Sequence, residues 1–288
     1  MLYGSKKFQE KILDVAQYFA DKNNFMLIYG ATIGSVSQGI NLPDSDYDIR
    51  FLFLEKENIG KIYVPWNTPE KKLHLKYQPE DIREKNLIYD GFPFWEATSF
   101  FQFLKKPTYT GEVSLGLYNV VARTLLSPYA WDPYGLQIKL EPLMNSIYNV
   151  RWQFDWYRSI LLNYSENQNE IISWKKYLKA IYAALALIYI SKNNKFCPIY
   201  LQTLAYLTVS QNIACLIQEC IDNAYSTWNE SARRKLEIDR IIENAMHISI
   251  KTIETTENSC DAVLESIYSI IFHSVKRFDI DTISIKPE

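Results

Sequence analysis

An α+β fold is what this sequence predicts: a small mixed sheet within residues 1–90, followed by an all-helical lobe over residues 91–288. Three observations carry that expectation. Short apolar runs of strand length, Phe25–Tyr29 and Phe51–Leu54, stand in the first part, and the alternating segment Leu73–Tyr77 follows them. From Phe94 onward the apolar positions recur at helical spacing. Gly and Pro are rare in that second stretch, so little interrupts it.

The elements follow in order. Ser5–Asp21 predicts a helix, with Phe8, Ile12, Leu13, Val15, Ala16 and Phe19 at helical spacing and Asn23-Asn24 ending it. Phe25–Tyr29 predicts a buried strand that delivers Gly30 and Gly34 to a turn running to Asp44. Asp46–Leu54 predicts the second strand. Residues 55–68 are polar, contain Gly60 and Pro65, with Pro69 just beyond, and read as a loop with or without an edge strand. Leu73–Tyr77 predicts a half-buried strand, and Asn86–Asp90 a further short one. Helices are expected over Phe94–Lys105, Val113–Leu126, Gln137–Tyr148, Val150–Asn163, Trp174–Lys192, Ile199–Leu207, Ile213–Thr227, Ser231–Ile253 and Cys260–Phe278. Pro107, Pro128, Pro133, Gly135 and Asn193-Asn194 supply the breaks. The change from strands to helices near residue 90 sets the expected boundary, and nothing there is Gly/Ser-rich enough to be a flexible linker.

Composition narrows the function classes. The chain of 288 residues carries a net charge of -2 and a pI of about 6.0, so a global basic field for duplex binding is absent and nucleic acid needs a local patch. Aromatics reach 15%, a content that serves cores and base-stacking surfaces alike. The N-terminal stretch lacks the apolar core of a signal peptide, and the longest apolar run, around Ile181–Ile190, is too short to span a bilayer. A cytoplasmic location with no membrane partner is expected. Cys197, Cys215, Cys220 and Cys260 show no CxxC spacing and predict reduced, mostly buried thiols. His74, His247 and His273 are scattered, which argues against a zinc site.

One segment carries chemistry. Gly34-Ser35, ten residues, then Asp46-Tyr47-Asp48-Ile49-Arg50 lead into Phe51–Leu54. Successive strand residues point to opposite faces, so Asp46 and Asp48 share a face, roughly 7 Å apart along the backbone. Like charges that close repel unless a cation sits between them, and Mg²⁺ accepts carboxylate and phosphate oxygens in one shell. Gly34-Ser35 lets backbone N–H groups and a hydroxyl approach a phosphate. A solvated acidic turn would need neither the apolar residue between the acids nor the strand after them. The whole predicts a device that holds a nucleoside triphosphate on Mg²⁺ (or Mn²⁺). Asp44, after Pro43, reads as a turn residue.

These residues resemble the signature of the DNA polymerase beta-type nucleotidyltransferase superfamily, an apolar-Gly-Ser turn before an Asp-x-Asp strand. More narrowly, Gly34-Ser35, Gly39, Pro43-Asp44-Ser45-Asp46-Tyr47-Asp48-Ile49-Arg50 resembles the predicted nucleotidyltransferase family associated with RNA repair. Weaker echoes follow at Trp95-Glu96, Ser127-Pro128-Tyr129 and Lys175-Lys176-Tyr177-Leu178. The chain departs from that pattern at Val36, where the family commonly has Arg, and at Tyr182-Ala183, where it has Arg-Pro.

The resemblance implies a nucleotidyltransferase lobe that transfers a nucleoside monophosphate from an NTP, such as ATP, to an acceptor hydroxyl. Asp46 and Asp48 would bind the metals. Asp90 is the first candidate for the third carboxylate and Glu96 the alternative. Gly34 and Ser35 would hold the triphosphate. Arg50 either contacts a phosphate or forms a structural ion pair. Lys175 and Lys176 either meet the triphosphate from the helical lobe or are a solvated face. Phe92, Phe94 and Trp95 are core residues before they are a stacking wall. The implied acceptor is a single-stranded RNA or RNA end. Transfer to a protein or small molecule, or a non-catalytic nucleotide-binding module, are the rival readings.

Overall fold

The computed structural model describes residues 1–56, 72–75, 92–101, 104, 112–146, 149–166, 172–250 and 260–283. It is α+β, a small mixed sheet followed by a mainly helical region. In chain order the elements are α1 (Lys6–Lys22), β1 (Phe25–Thr32), α2 (Gly34–Gln38), β2 (Ile49–Glu55), β3 (Lys72–Leu75), β4 (Phe92–Glu96), α3 (Ala97–Phe101), α4 (Glu112–Leu125), β5 (Ala130–Trp131), α5 (Leu136–Ser146), α6 (Val150–Glu166), α7 (Trp174–Asn193), α8 (Leu201–Thr208), α9 (Gln211–Ser226), α10 (Leu236–Met246) and α11 (Cys260–Ile283).

Local chemistry sets the ends of α1. The Ser5 hydroxyl accepts the Phe8 N–H at 3.2 Å, and Asn23 closes the last turn, its side-chain amide donating to the Phe19 carbonyl at 2.8 Å. Asn24 then turns left-handed at φ 57°, and β1 begins. The buried stripe Phe8, Ile12, Ala16 and Ala20 is the one the spacing predicts.

The sheet order is β3-β4-β2-β1-β5. β1 and β2 pair antiparallel from Phe25↔Glu55 to Thr32↔Ile49, and β2 and β4 pair parallel with Phe51 opposite Phe94. One face is an aromatic core: Phe25 stacks on Phe53 at 4.2 Å, Phe51 on Phe94 at 5.4 Å, and Phe19 of α1 lies 4.7 Å from Phe94. Gly30 makes room for this, because a Cβ there would sit 2.6 Å from the Phe51 ring.

Several expected boundaries move. The helix expected from Phe94 starts only at Ala97, because Phe94 and Trp95 extend the sheet beside β2, where burial outweighs their helical spacing. The second strand starts at Ile49, three residues later than expected, and the turn after Ile33 contains the short helix α2. The helix expected over Ser231–Ile253 is trimmed to Leu236–Met246. The strand expected at Asn86–Asp90 and the boundary near residue 90 lie outside the described residues.

Two compact units form. One gathers the described residues within 1–33, 46–147 and 256–288, and so carries the sheet, α1, α3, α4, α5 and α11. In it α11 lies along α5, with the Lys139 ammonium donating to the Ser274 hydroxyl at 2.9 Å. The other gathers those within 34–45 and 148–255. Its centre is α7, buried at 12 of its 20 residues because α6, α8, α9 and α10 all pack on it. Ser173 caps its start, and Asn194 ends it at φ 50°. Among the described residues no helix is long and apolar enough to cross a membrane.

Candidate functional site

The site is built around the segment that feeds β2. From Ser45 to Ile49 burial alternates: Ser45, Tyr47 and Ile49 are buried, while Asp46 and Asp48 are exposed. Both carboxylates therefore reach solvent on either side of a buried tyrosine, just ahead of β2. The inner side is tied down. The Tyr47 hydroxyl donates to the Tyr3 carbonyl and lies 3.3 Å from Thr32 Oγ1, which also accepts the Tyr3 N–H at 3.1 Å. Phe8 meets the Tyr47 ring edge-on at 5.1 Å. The Ile33 N–H donates to the Asp48 carbonyl at 2.8 Å, carrying the β1–β2 ladder one step past Thr32↔Ile49. Behind Thr32, Ser127 Oγ donates to the Thr32 carbonyl at 2.5 Å and accepts the Tyr129 N–H at 3.2 Å, so Ser127-Pro128-Tyr129 buttresses the end of β1.

Arg50 extends this face. Its guanidinium Nη1 donates to Thr124 Oγ1 at 3.2 Å, and its Cζ lies 5.8 Å from the centre of the Trp95 ring, inside the reach of a cation–π contact. Burial pulls the Arg50 pKa down to about 10, the nearby Asp48 carboxylate opposes that fall, and Arg123 adds to it. Arg50 thus stays charged at neutral pH. Its Nε is buried and has no hydrogen-bond partner among the described residues.

Gly34, at φ 70°, opens α2, where the Ser37 hydroxyl donates to its carbonyl at 3.0 Å. The half-buried Ser35 accepts the Ile40 N–H through its carbonyl, and its hydroxyl bonds none of the described residues. Pro43-Asp44 forms a turn, closed by the Ser45 N–H to the Leu42 carbonyl at 2.9 Å and the Leu42 N–H to Ser45 Oγ at 2.8 Å. Lys175 and Lys176 are exposed on the first turn of α7, in the helical unit. Asp90 lies outside the described residues. Glu96 pairs in register with Phe53, about 16 Å along the sheet from Asp48 at the rise of a strand, so it does not share the acid pair's end. Phe94 and Trp95 are buried core residues, 0% and 2% exposed, and are not a stacking wall.

The donor set is two outward carboxylates. Among the described residues no group of three or more His, Cys, Asp or Glu side chains is placed to hold a metal. Two carboxylates are oxygen ligands of the kind that would suit Mg²⁺. Thr124, Tyr3 and Thr32 join the site without any signal in the sequence. Each arrives by a long-range contact that spacing does not encode. No family model matches this chain, and no curated protein matches it.

Proposed function

We propose that this chain is a metal-dependent nucleotidyltransferase that moves a nucleoside monophosphate from an NTP to an acceptor hydroxyl, with an RNA end as the acceptor the resemblance implies. The observation that carries the reading is that Asp46 and Asp48 are both exposed, with the buried, anchored Tyr47 between them. In this reaction the acceptor oxygen attacks the α-phosphorus, the bond to the bridging oxygen breaks, and pyrophosphate leaves. Asp46 and Asp48 are the metal ligands. Bound Mg²⁺ (or Mn²⁺) would offset the phosphate charge and lower the pKa of the attacking hydroxyl. Asp90 is the third carboxylate in this proposal and takes the acceptor's proton. Arg50 steadies a phosphate oxygen, while Gly34 and Ser35 supply N–H and hydroxyl donors. Lys175 and Lys176 enter on the resemblance alone.

Incubating the protein with each α-labelled NTP, Mg²⁺ and a panel of acceptors (single-stranded RNA, a protein mixture and small-molecule alcohols) tests the reading. Label should move to RNA, and Asp46→Asn or Asp48→Asn should abolish the transfer. Label on a protein or small molecule would keep the transferase and replace its acceptor. No label on any acceptor from any NTP would overturn the proposal.

A further inference from the structure

We propose that Tyr200, at the start of α8, is the positioning residue of the Gly34-Ser35 turn: its ring braces the backbone of Gly39 and so fixes where that turn presents its donors. The contact is read from geometry. That the turn grips the phosphates of a nucleotide rests on the nucleotidyltransferase reading.

Gly39 and Tyr200 belong to the same compact unit. Gly39 stands at φ 68°, and a Cβ on it would sit 2.8 Å from the Tyr200 Cζ and nearer still to Cε2, so the ring lies hard against the glycine backbone. Backbone bonds carry that contact to the turn. The Gly39 N–H donates to the Val36 carbonyl at 3.1 Å, and the Ile40 N–H donates to the Ser35 carbonyl at 3.0 Å. With the Ser37 hydroxyl on the Gly34 carbonyl, residues 34–40 form one hydrogen-bonded turn. The ring is fixed from its own side as well. Its chain neighbours Ile199 and Leu201 are buried, and the Tyr200 carbonyl accepts the Leu204 N–H at 3.0 Å. Just ahead, the Pro198 carbonyl accepts the Tyr182 hydroxyl of α7 at 3.0 Å, and Cys197 Sγ donates to the Tyr157 hydroxyl of α6 at 3.3 Å. A continuous line of packed and hydrogen-bonded contacts thus runs from the core of the helical unit to Ser35.

Neither burial nor capping accounts for Tyr200. It is 39% exposed, its hydroxyl bonds none of the described residues, and its side chain does not cap α8. What the ring supplies is the contact with Gly39. The turn needs such a brace. Val36 is buried and brings no cation, so a grip on phosphate depends on where the backbone N–H groups and the Ser35 hydroxyl stand. Hydrogen bonds weaken steeply as their angle closes, so a turn free to rock loses them. Contacts made alike in the ground state and the transition state set binding and leave kcat in place.

The test uses the full chain with Mg²⁺ and an analogue of each NTP that cannot be cleaved between the α- and β-phosphates, titrated by calorimetry, beside turnover of the NTP itself. Tyr200→Ala should weaken binding about fivefold or more and leave kcat within about twofold of the parent. Tyr200→Phe should match the parent, because the ring and not the hydroxyl meets Gly39. Gly39→Ala should weaken binding too. The double variant should lose less than the product of the two single losses, because the ring that the new Cβ would strike is gone. Tyr206→Ala, which removes an exposed ring from the same helix, should leave binding unchanged. Parent-like binding by Tyr200→Ala would overturn the proposal. So would a lowered kcat with unchanged binding, or single losses that multiply in the double variant. If Tyr200→Ala does not fold by circular dichroism, parent-like binding by Gly39→Ala overturns it instead. Analogue binding that Tyr200→Ala weakens, with no turnover of any NTP by the parent, would keep this role of Tyr200 and remove the transferase. Turnover by the parent with Tyr200→Ala unchanged in binding and rate would do the reverse. No binding of any analogue by the parent would remove both.

Discussion

Asp46-Tyr47-Asp48 and Lys175-Lys176-Tyr177 use the same device in different secondary structure. Each sets two exposed charges beside a buried tyrosine whose hydroxyl is anchored, flanking it in the first and preceding it in the second. Tyr47 is anchored to the Tyr3 carbonyl and Thr32. Tyr177 donates to Asp239 Oδ1 at 3.0 Å and accepts the Lys235 N–H at 3.1 Å, and burial pushes its phenol well above the ordinary range. In the helical unit that anchor is complete, because Asp239 also takes the Arg234 Nε at 3.0 Å. Extended chain turns alternate residues to one side, so in the nucleotidyltransferase reading the two carboxylates would share a metal. Adjacent helical residues diverge by about 100°, so Lys175 and Lys176 spread their charge over the surface. An anchored tyrosine is therefore structure in both units. Period two, and not charge alone, makes one of them a candidate metal site.

The sharpest way to break this comparison is Asp46→Asn or Asp48→Asn. Transfer should fall at least about 1,000-fold, roughly 4 kcal/mol of transition-state stabilisation, with an unchanged urea midpoint because both side chains are exposed. A lowered midpoint with transfer retained would make the pair structural, like its helical counterpart.

Trp174→Ala should come next, at about 3–5 kcal/mol of stability read by urea unfolding. Trp174 is fully buried at the start of α7, and its indole N–H donates to Thr227 Oγ1 at 3.1 Å. A small effect would mean that α7 is not the core its burial indicates.

The two tyrosine anchors should separate more finely. Tyr47→Phe and Tyr177→Phe should each destabilise by about 1–2 kcal/mol, the loss expected for a hydrogen bond in a buried setting. Only Tyr47→Phe should also raise the Mg²⁺ concentration needed for half-maximal transfer. An equal rise in Tyr177→Phe would remove the distinction between the two units.

Smallest of all, Lys175→Glu and Lys176→Glu should change stability by no more than about 0.5 kcal/mol, since both are exposed. If they touch RNA, each should lower the log–log salt slope of single-strand binding by roughly 0.7, measured by titration at several salt concentrations. An unchanged slope makes them a solvated face.

What residue order determined by itself is local. The stripe of α1, its Ser5 cap and Asn23 stop, the Ser173 cap of α7 and the Pro43-Asp44 turn are each encoded within a few neighbouring residues, where periodicity and capping operate. The exposure of Asp46 and Asp48 about the buried Tyr47 is legible for the same reason. What only tertiary structure decided is every contact between distant residues. Phe94 and Trp95 have helical spacing yet become strand, because β2 offers them an aromatic partner face. The parallel register then carries Glu96 away from the acid pair. Packing, likewise, brings Thr124 to Arg50, Tyr3 to Tyr47 and α11 to α5. No local period encodes these meetings; they depend on which apolar faces bury one another once the chain has closed.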